Sequence, residues 1–178
     1  MKALIQKQNR AVIIYSTLAG ILFTICRTAL FPQIGLATIV PSLTYLVVYL
    51  PFIPSLWVGF FLGLLVDLIS NSFFGFFALI YPLSIAVIYR YKRFFSDSTF
   101  QMGLFFLFAS LVLTLIHTLC GALFFKKISW SFIAIFSDFV IMPLLDGLYG
   151  VLCFVLPIKA LKQLQYLLYR FKLTRKWK

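Results

Sequence analysis

Charge is what this chain has least of. Only 11% of its 178 residues are Asp, Glu, Lys or Arg, against roughly a quarter in a soluble domain. So few charges cannot cover a water-facing surface, which argues against a soluble globular protein. Acids are the scarcest of all: Asp67, Asp97, Asp138 and Asp146, with no Glu anywhere. Histidine occurs once, as His117, so a multi-His metal site is out of reach and no Ser-His-Asp set suggests itself. The cysteines Cys26, Cys120 and Cys153 lie inside apolar runs without a CxxC or CxxxC spacing, which speaks against a disulfide framework or a zinc site. There is no P-loop, no GxGxxG and no HExxH. Nor is there an internal repeat, a low-complexity segment or a polar stretch long enough for a second, soluble domain.

What the chain has in abundance is apolar sequence. Hydrophobic residues make up 63% of it, and the mean hydropathy is +1.05. A helix needs about 20 apolar residues to cross a bilayer. The runs Ala11 to Phe31, Ile34 to Leu50, Leu56 to Ile69, Phe73 to Tyr89, Phe100 to Phe125 and Phe132 to Leu156 predict about six transmembrane helices. Pro32, Pro51, Pro54 and the polar turn Ser70-Asn71-Ser72 separate the earlier runs. The third run reaches a useful length only if it begins near Phe52. Tyr81-Pro82 predicts a kink in the fourth. The N-terminus opens like a signal peptide, but its apolar run is too long and no cleavage site follows, so we read an uncleaved first span.

The formal charge of +12 could suggest nucleic acid, but the bases stand in short clusters between apolar runs rather than on a polar folded face. They read instead as topology signals. With both ends in the cytoplasm, the inner segments carry Lys2, Lys7, Arg10, Arg90, Lys92, Arg93 and the bases of the tail, whereas the outer loops carry only Lys126 and Lys127. Residues 1–158 thus form the bundle and residues 159–178 a basic cytoplasmic tail. In that tail Leu161, Leu164, Leu168 and Phe171 recur at helical spacing, a pattern suited to lying on anionic lipid.

The stretch Gly59 to Gly75, GFFLGLLVDLISNSFFG, carries the most information. Gly59, Gly63 and Asp67 fall on one helix face, which would let another helix, of this bundle or of a partner, approach closely. An intramembrane carboxylate on that face should meet protein or water, not lipid. In the first span Ser16, Gly20, Thr24 and Thr28 form a similar stripe, bordered by Arg27. We expect an intramembrane polar network of Arg27, Asp67, Asp138 and Asp146, with Arg27 paired to Asp67 or Asp138. Asp138 and Asp146 stand eight apart, close to one side of an ideal helix. Paired aspartates can serve proteolysis or a proton relay, but nothing around them repeats and too few titratable groups accompany them, so no catalytic residue, cofactor or metal is expected. His117 reads as a hydrogen-bonded structural residue.

The run from Pro41 to Phe95, PSLTYLVVYLPFIPSLWVGFFLGLLVDLISNSFFGFFALIYPLSIAVIYRYKRFF, resembles the core of the MreD family, the rod shape-determining membrane subunit of bacteria. The resemblance rests on Pro41 before the second apolar run, on Gly63, Leu64 and Asp67, on the turn Ser70 to Ser72 with Gly75 after it, and on Arg90, Lys92 and Arg93 closing the fourth span. Family members often carry Asp after that first Pro, where this chain has Ser42. The resemblance implies an all-α bundle similar to the substrate-binding subunits of energy-coupling-factor transporters. It implies a non-enzymatic scaffold of the cell-elongation complex in the bacterial cytoplasmic (inner) membrane, helping to organise lateral peptidoglycan synthesis and cell shape. The partners it implies are an MreC-like protein, the MreB filament system and a RodA-type glycosyltransferase with its penicillin-binding transpeptidase. The glycine-spaced third span also resembles that of the transporter subunits themselves, so a vitamin-binding subunit stays open as an alternative. Such a subunit should gather polar groups near its outer face, where Arg27, Asp67, Asn71 and Asp138 are the candidates.

Overall fold

A computed structural model describes residues 2–30, 38–70, 73–94, 98–125, 136–161 and 163. The described residues contain helices and no strand. The helices are α1 (Lys2–Leu30), α2 (Val40–Tyr49), α3 (Phe52–Ile69), α4 (Phe76–Tyr91), α5 (Thr99–Phe125) and α6 (Ser137–Leu161), with a short 3-10 turn at Lys92–Phe94 after α4. Three of them, α3, α5 and α6, are long and apolar enough to cross a membrane. The apolar part of α1 (Ala11–Cys26), α2 and α4 are shorter apolar helices. Large apolar side chains such as Leu18, Trp57, Leu68, Leu83, Leu123 and Leu148 are exposed around the outside, which suits a bundle whose solvent is lipid. The basic tail beyond residue 163 and Asp97 lie outside the described residues.

The centre of the bundle is α2. It has only 10 residues, a rise of about 15 Å, half the roughly 30 Å of a hydrocarbon core. Pro41 sits in its first turn, where the missing N–H costs nothing, and Pro51 follows its end. The sequence suggested a longer second span beginning at Ile34, but residues 31–37 lie outside the described set and the helix begins at Val40. Residues Val40 to Val47 are buried on every side, as a helix enclosed by protein should be. The other five helices all touch it.

Two cores meet at α2. On one side Leu43, Leu46 and Val47 pack with Leu62 and Val66 of α3, Ile80 and Ile85 of α4, and Phe105 of α5. On the other, Tyr45 packs with Val12 of α1, Phe106 of α5 and Phe154 of α6. The small-residue stripe of α1 lies against α2. Ser16, Gly20 and Thr24 are buried there, and the Ser42 hydroxyl donates to the Ser16 carbonyl at 2.6 Å. A Cβ on Gly20 would stand 2.0 Å from that hydroxyl oxygen. Ser42 is thus a short side chain held in a close helix crossing.

Prolines shape the last helix. α6 contains two wide π-turns, Ser137–Ile141 and Val151–Val155. Each is followed two residues later by a proline, Pro143 and Pro157. Proline lacks the N–H that would bond to the carbonyl four residues back and its ring collides with it, so widening the turn relieves the clash. For Pro157 that carbonyl belongs to Cys153, and the Tyr15 hydroxyl of α1 donates to it at 3.4 Å. By contrast, α4 runs through Pro82 as one helix.

Candidate functional site

The corner between α3 and α4 is built on Asp67. Its side chain is buried, and its carboxylate accepts three backbone N–H groups from the start of α4. Gly75 donates to Oδ2 at 3.0 Å, Phe77 to Oδ1 at 2.9 Å and Ala78 to Oδ2 at 3.1 Å. The first amides of a helix have no partner within it, and the helix dipole leaves partial positive charge there. Asp67 therefore caps α4 from the end of the preceding helix. Gly75, at φ +93°, turns the chain into α4 through a conformation that glycine adopts without strain. Gly59 and Gly63 let α3 and α4 approach closely enough for this: a Cβ on Gly63 would stand 2.5 Å from the Ala78 Cα and from the Phe77 carbonyl oxygen. The face of Gly59, Gly63 and Asp67 is thus turned to α4 inside the bundle, not outwards.

At the same end of the bundle lies a cavity of about 330 Å³. Every helix or its flank contributes to it: Thr24 and Thr28 of α1, Thr38 just before α2, Val66 of α3, Phe77 and Tyr81 of α4, His117 and Thr118 of α5, and Asp138 of α6. Thr24 and Thr38 bond to each other at 2.9 Å and Thr24 also donates to the Gly20 carbonyl at 2.7 Å. The His117 ring stacks on Phe77, with centroids 5.9 Å apart, and meets Phe76 edge-on. Asp138 is within electrostatic reach of His117.

The three described aspartates thus occupy three settings. Asp67 caps a helix, Asp138 borders the cavity, and Asp146 is buried in the interface of α5 and α6. There the Ser110 hydroxyl donates to Asp146 Oδ2 at 2.5 Å. Asp138 and Asp146 differ in surroundings: Asp138 is exposed and Asp146 only 1% exposed. Arg27 stands on α1 near the cavity end, but its side chain lies outside the described residues, as does Asn71. Ser110 gave no signal in the sequence. Its replacement by alanine removes a donor from a buried carboxylate, and we expect a loss of about 1–3 kcal/mol, measured by thermal unfolding in detergent. A Ser110→Ala protein as stable as wild type would mean that this bond contributes nothing.

The opposite end is basic. Val48, Tyr89, Arg90, Lys92 and Arg93 line a groove of about 400 Å³. The Lys92 ammonium lies 5.1 Å from the Tyr89 ring centroid, a cation–π distance, and partial burial lowers its pKa from the ordinary lysine value. Lys159 at the end of α6 donates to the Thr99 hydroxyl at the start of α5. Among the described residues no three His, Cys, Asp or Glu side chains gather as a metal site.

Compared with protein-family models, curated proteins and solved structures, the chain matches none of them.

Proposed function

We propose that this chain is an MreD-like, non-enzymatic scaffold subunit of the bacterial cell-elongation complex, set in the cytoplasmic membrane with both ends inside. One observation carries the reading. The residues on which the resemblance rests, Gly63, Asp67 and Gly75, act together as one structural device: they join α3 to α4 through close backbone contact and a three-amide cap. Residues that shape a helix pair, rather than reacting groups, are what a scaffold needs. With that face occupied internally, the opposite face of α3 is left to lipid or a partner's helix. Trp57, Phe61 and Leu68 are exposed there. The partners proposed are an MreC-like protein, the MreB filament system and a RodA-type glycosyltransferase with its transpeptidase. Anionic headgroups fit the groove at Arg90, Lys92 and Arg93.

A gentle-detergent pulldown from native membranes tests this reading. Co-purification of the cell-wall synthesis proteins is the expected result. Recovery of an ATPase and a coupling subunit without them would overturn it. The second reading, a substrate-binding subunit of an energy-coupling-factor transporter, is favoured by the cavity to which all the helices contribute. It predicts a tightly bound vitamin in the purified protein.

A further inference from the structure

The cavity at the Asp138 end has a chemistry that the scaffold reading does not use. Each threonine hydroxyl has one hydrogen to donate and lone pairs to accept. Thr24 donates to the Gly20 carbonyl at 2.7 Å, so in the bond between Thr24 and Thr38 the hydrogen comes from Thr38. Thr28 donates to carbonyls of its own helix, those of Thr24 at 3.1 Å and Ile25 at 2.9 Å, and Thr118 does the same to Leu115 at 2.9 Å. The donors of these hydroxyls are spent within the protein, and what they retain is acceptor capacity. Asp138 adds an exposed carboxylate. Phe77 and Tyr81 border the same space. Ile39, Val66 and Ile80 add apolar wall. The basic side chains that the structure describes, Arg90, Lys92, Arg93 and Lys159, belong to the opposite end of the bundle.

We propose that the cavity bordered by Thr24, Thr28, Thr38, His117, Thr118 and Asp138 binds a compact organic cation, an alkylammonium or guanidinium group on a short apolar stem. Acceptors and one carboxylate would take the N–H donors, and the apolar wall would take the stem. About 330 Å³ falls at the small end of ligand sites, which run from about 300 to 1,000 Å³. The inference stands apart from the scaffold reading, because it concerns the end of the bundle away from the basic groove and its carboxylate is Asp138, not the Asp67 that caps α4.

The test uses the full chain in nanodiscs, with n-butylamine and agmatine as probes and butyrate and n-butanol as matched anionic and neutral controls, read by calorimetry. The amines should bind, the controls should not, and Asp138→Asn should weaken amine binding by about tenfold or more, as loss of a charge partner does. Asp138 is exposed, so this variant should unfold at the same temperature as wild type without ligand. Thr118→Val offers a second variant, expected to weaken binding by less. Absence of amine binding, equal binding of butyrate, or undiminished binding by Asp138→Asn would overturn the proposal. Arg27 lies close by in the chain, so Arg27→Gln is included. Binding seen only in that variant would make the chain's own guanidinium the occupant and would overturn a site for an external ligand.

Discussion

Replacing Asp67 with alanine should destabilise the protein by about 2–4 kcal/mol, because three amides, one buried and two half-buried, lose a charged acceptor at once. The bonds from Gly75, Phe77 and Ala78 lie between 2.9 and 3.1 Å, and that of Ala78 is buried. Asparagine should recover less than half of the loss. It keeps one acceptor oxygen but points an amide N–H2 at the same donors, and it removes the negative charge that the helix N-terminus favours. Unfolding temperatures in detergent, with hydrogen exchange at Phe77 and Ala78, provide the measurement. If Asp67→Ala unfolds at the wild-type temperature with those amides still protected, the cap is not what holds α4.

The second large effect belongs to Gly63. Alanine there should cost about 2–3 kcal/mol, as overpacking a tight core does, although alanine is the better helix former by about 1 kcal/mol. The added carbon would meet backbone atoms, 2.5 Å from the Ala78 Cα and 2.6 Å from its nitrogen, and backbone cannot rotate away. α4 would have to shift, and the amides it would carry away include two that bond to Asp67. The two changes should therefore be less than additive in the double variant Gly63→Ala with Asp67→Asn. Other glycines grade the effect. Gly59→Ala meets the flexible Cδ1 of Ile85 at 2.3 Å, a contact a rotamer change can relieve. Gly147→Ala meets nothing nearer than 3.5 Å and should be neutral or slightly stabilising. The order Gly63, Gly59, Gly147 in falling cost is the expected result. Equal unfolding temperatures for Gly63→Ala and Gly147→Ala would sink it.

The parts legible in the sequence were those set by local pattern. Apolar runs marked the helices, and the four-residue spacing of Gly59, Gly63 and Asp67, or of Ser16, Gly20 and Thr24, marked faces where backbones approach. What those faces meet was not legible. Charge complementarity pointed from Arg27 to Asp67 or Asp138, a pairing that falls on a side chain outside the described residues; the bonds of Asp67 to main-chain amides use groups that every residue carries and that leave no signature. The prolines were legible by position: Pro82 lies inside α4, and Pro143 and Pro157 each stand two residues past a π-turn of α6. The cavity was the least legible of all. Its threonines come from α1, α5 and the entry to α2, and only the packing of distant segments brings Thr24, Thr38 and Thr118 to one space.

The enclosure of α2 has a consequence for the order of synthesis. A ribosome releases α2 before most of what surrounds it, and the helix is too short to cross a bilayer unaided. One flank of Tyr45 is covered by Phe154 of α6, the last of the described helices to be made. The hydroxyls of Ser42 and Thr44, both fully buried in the finished bundle, belong to a helix made after α1 and before the other described helices. Its centre therefore cannot be finished in chain order. The final arrangement of the second helix waits for the sixth.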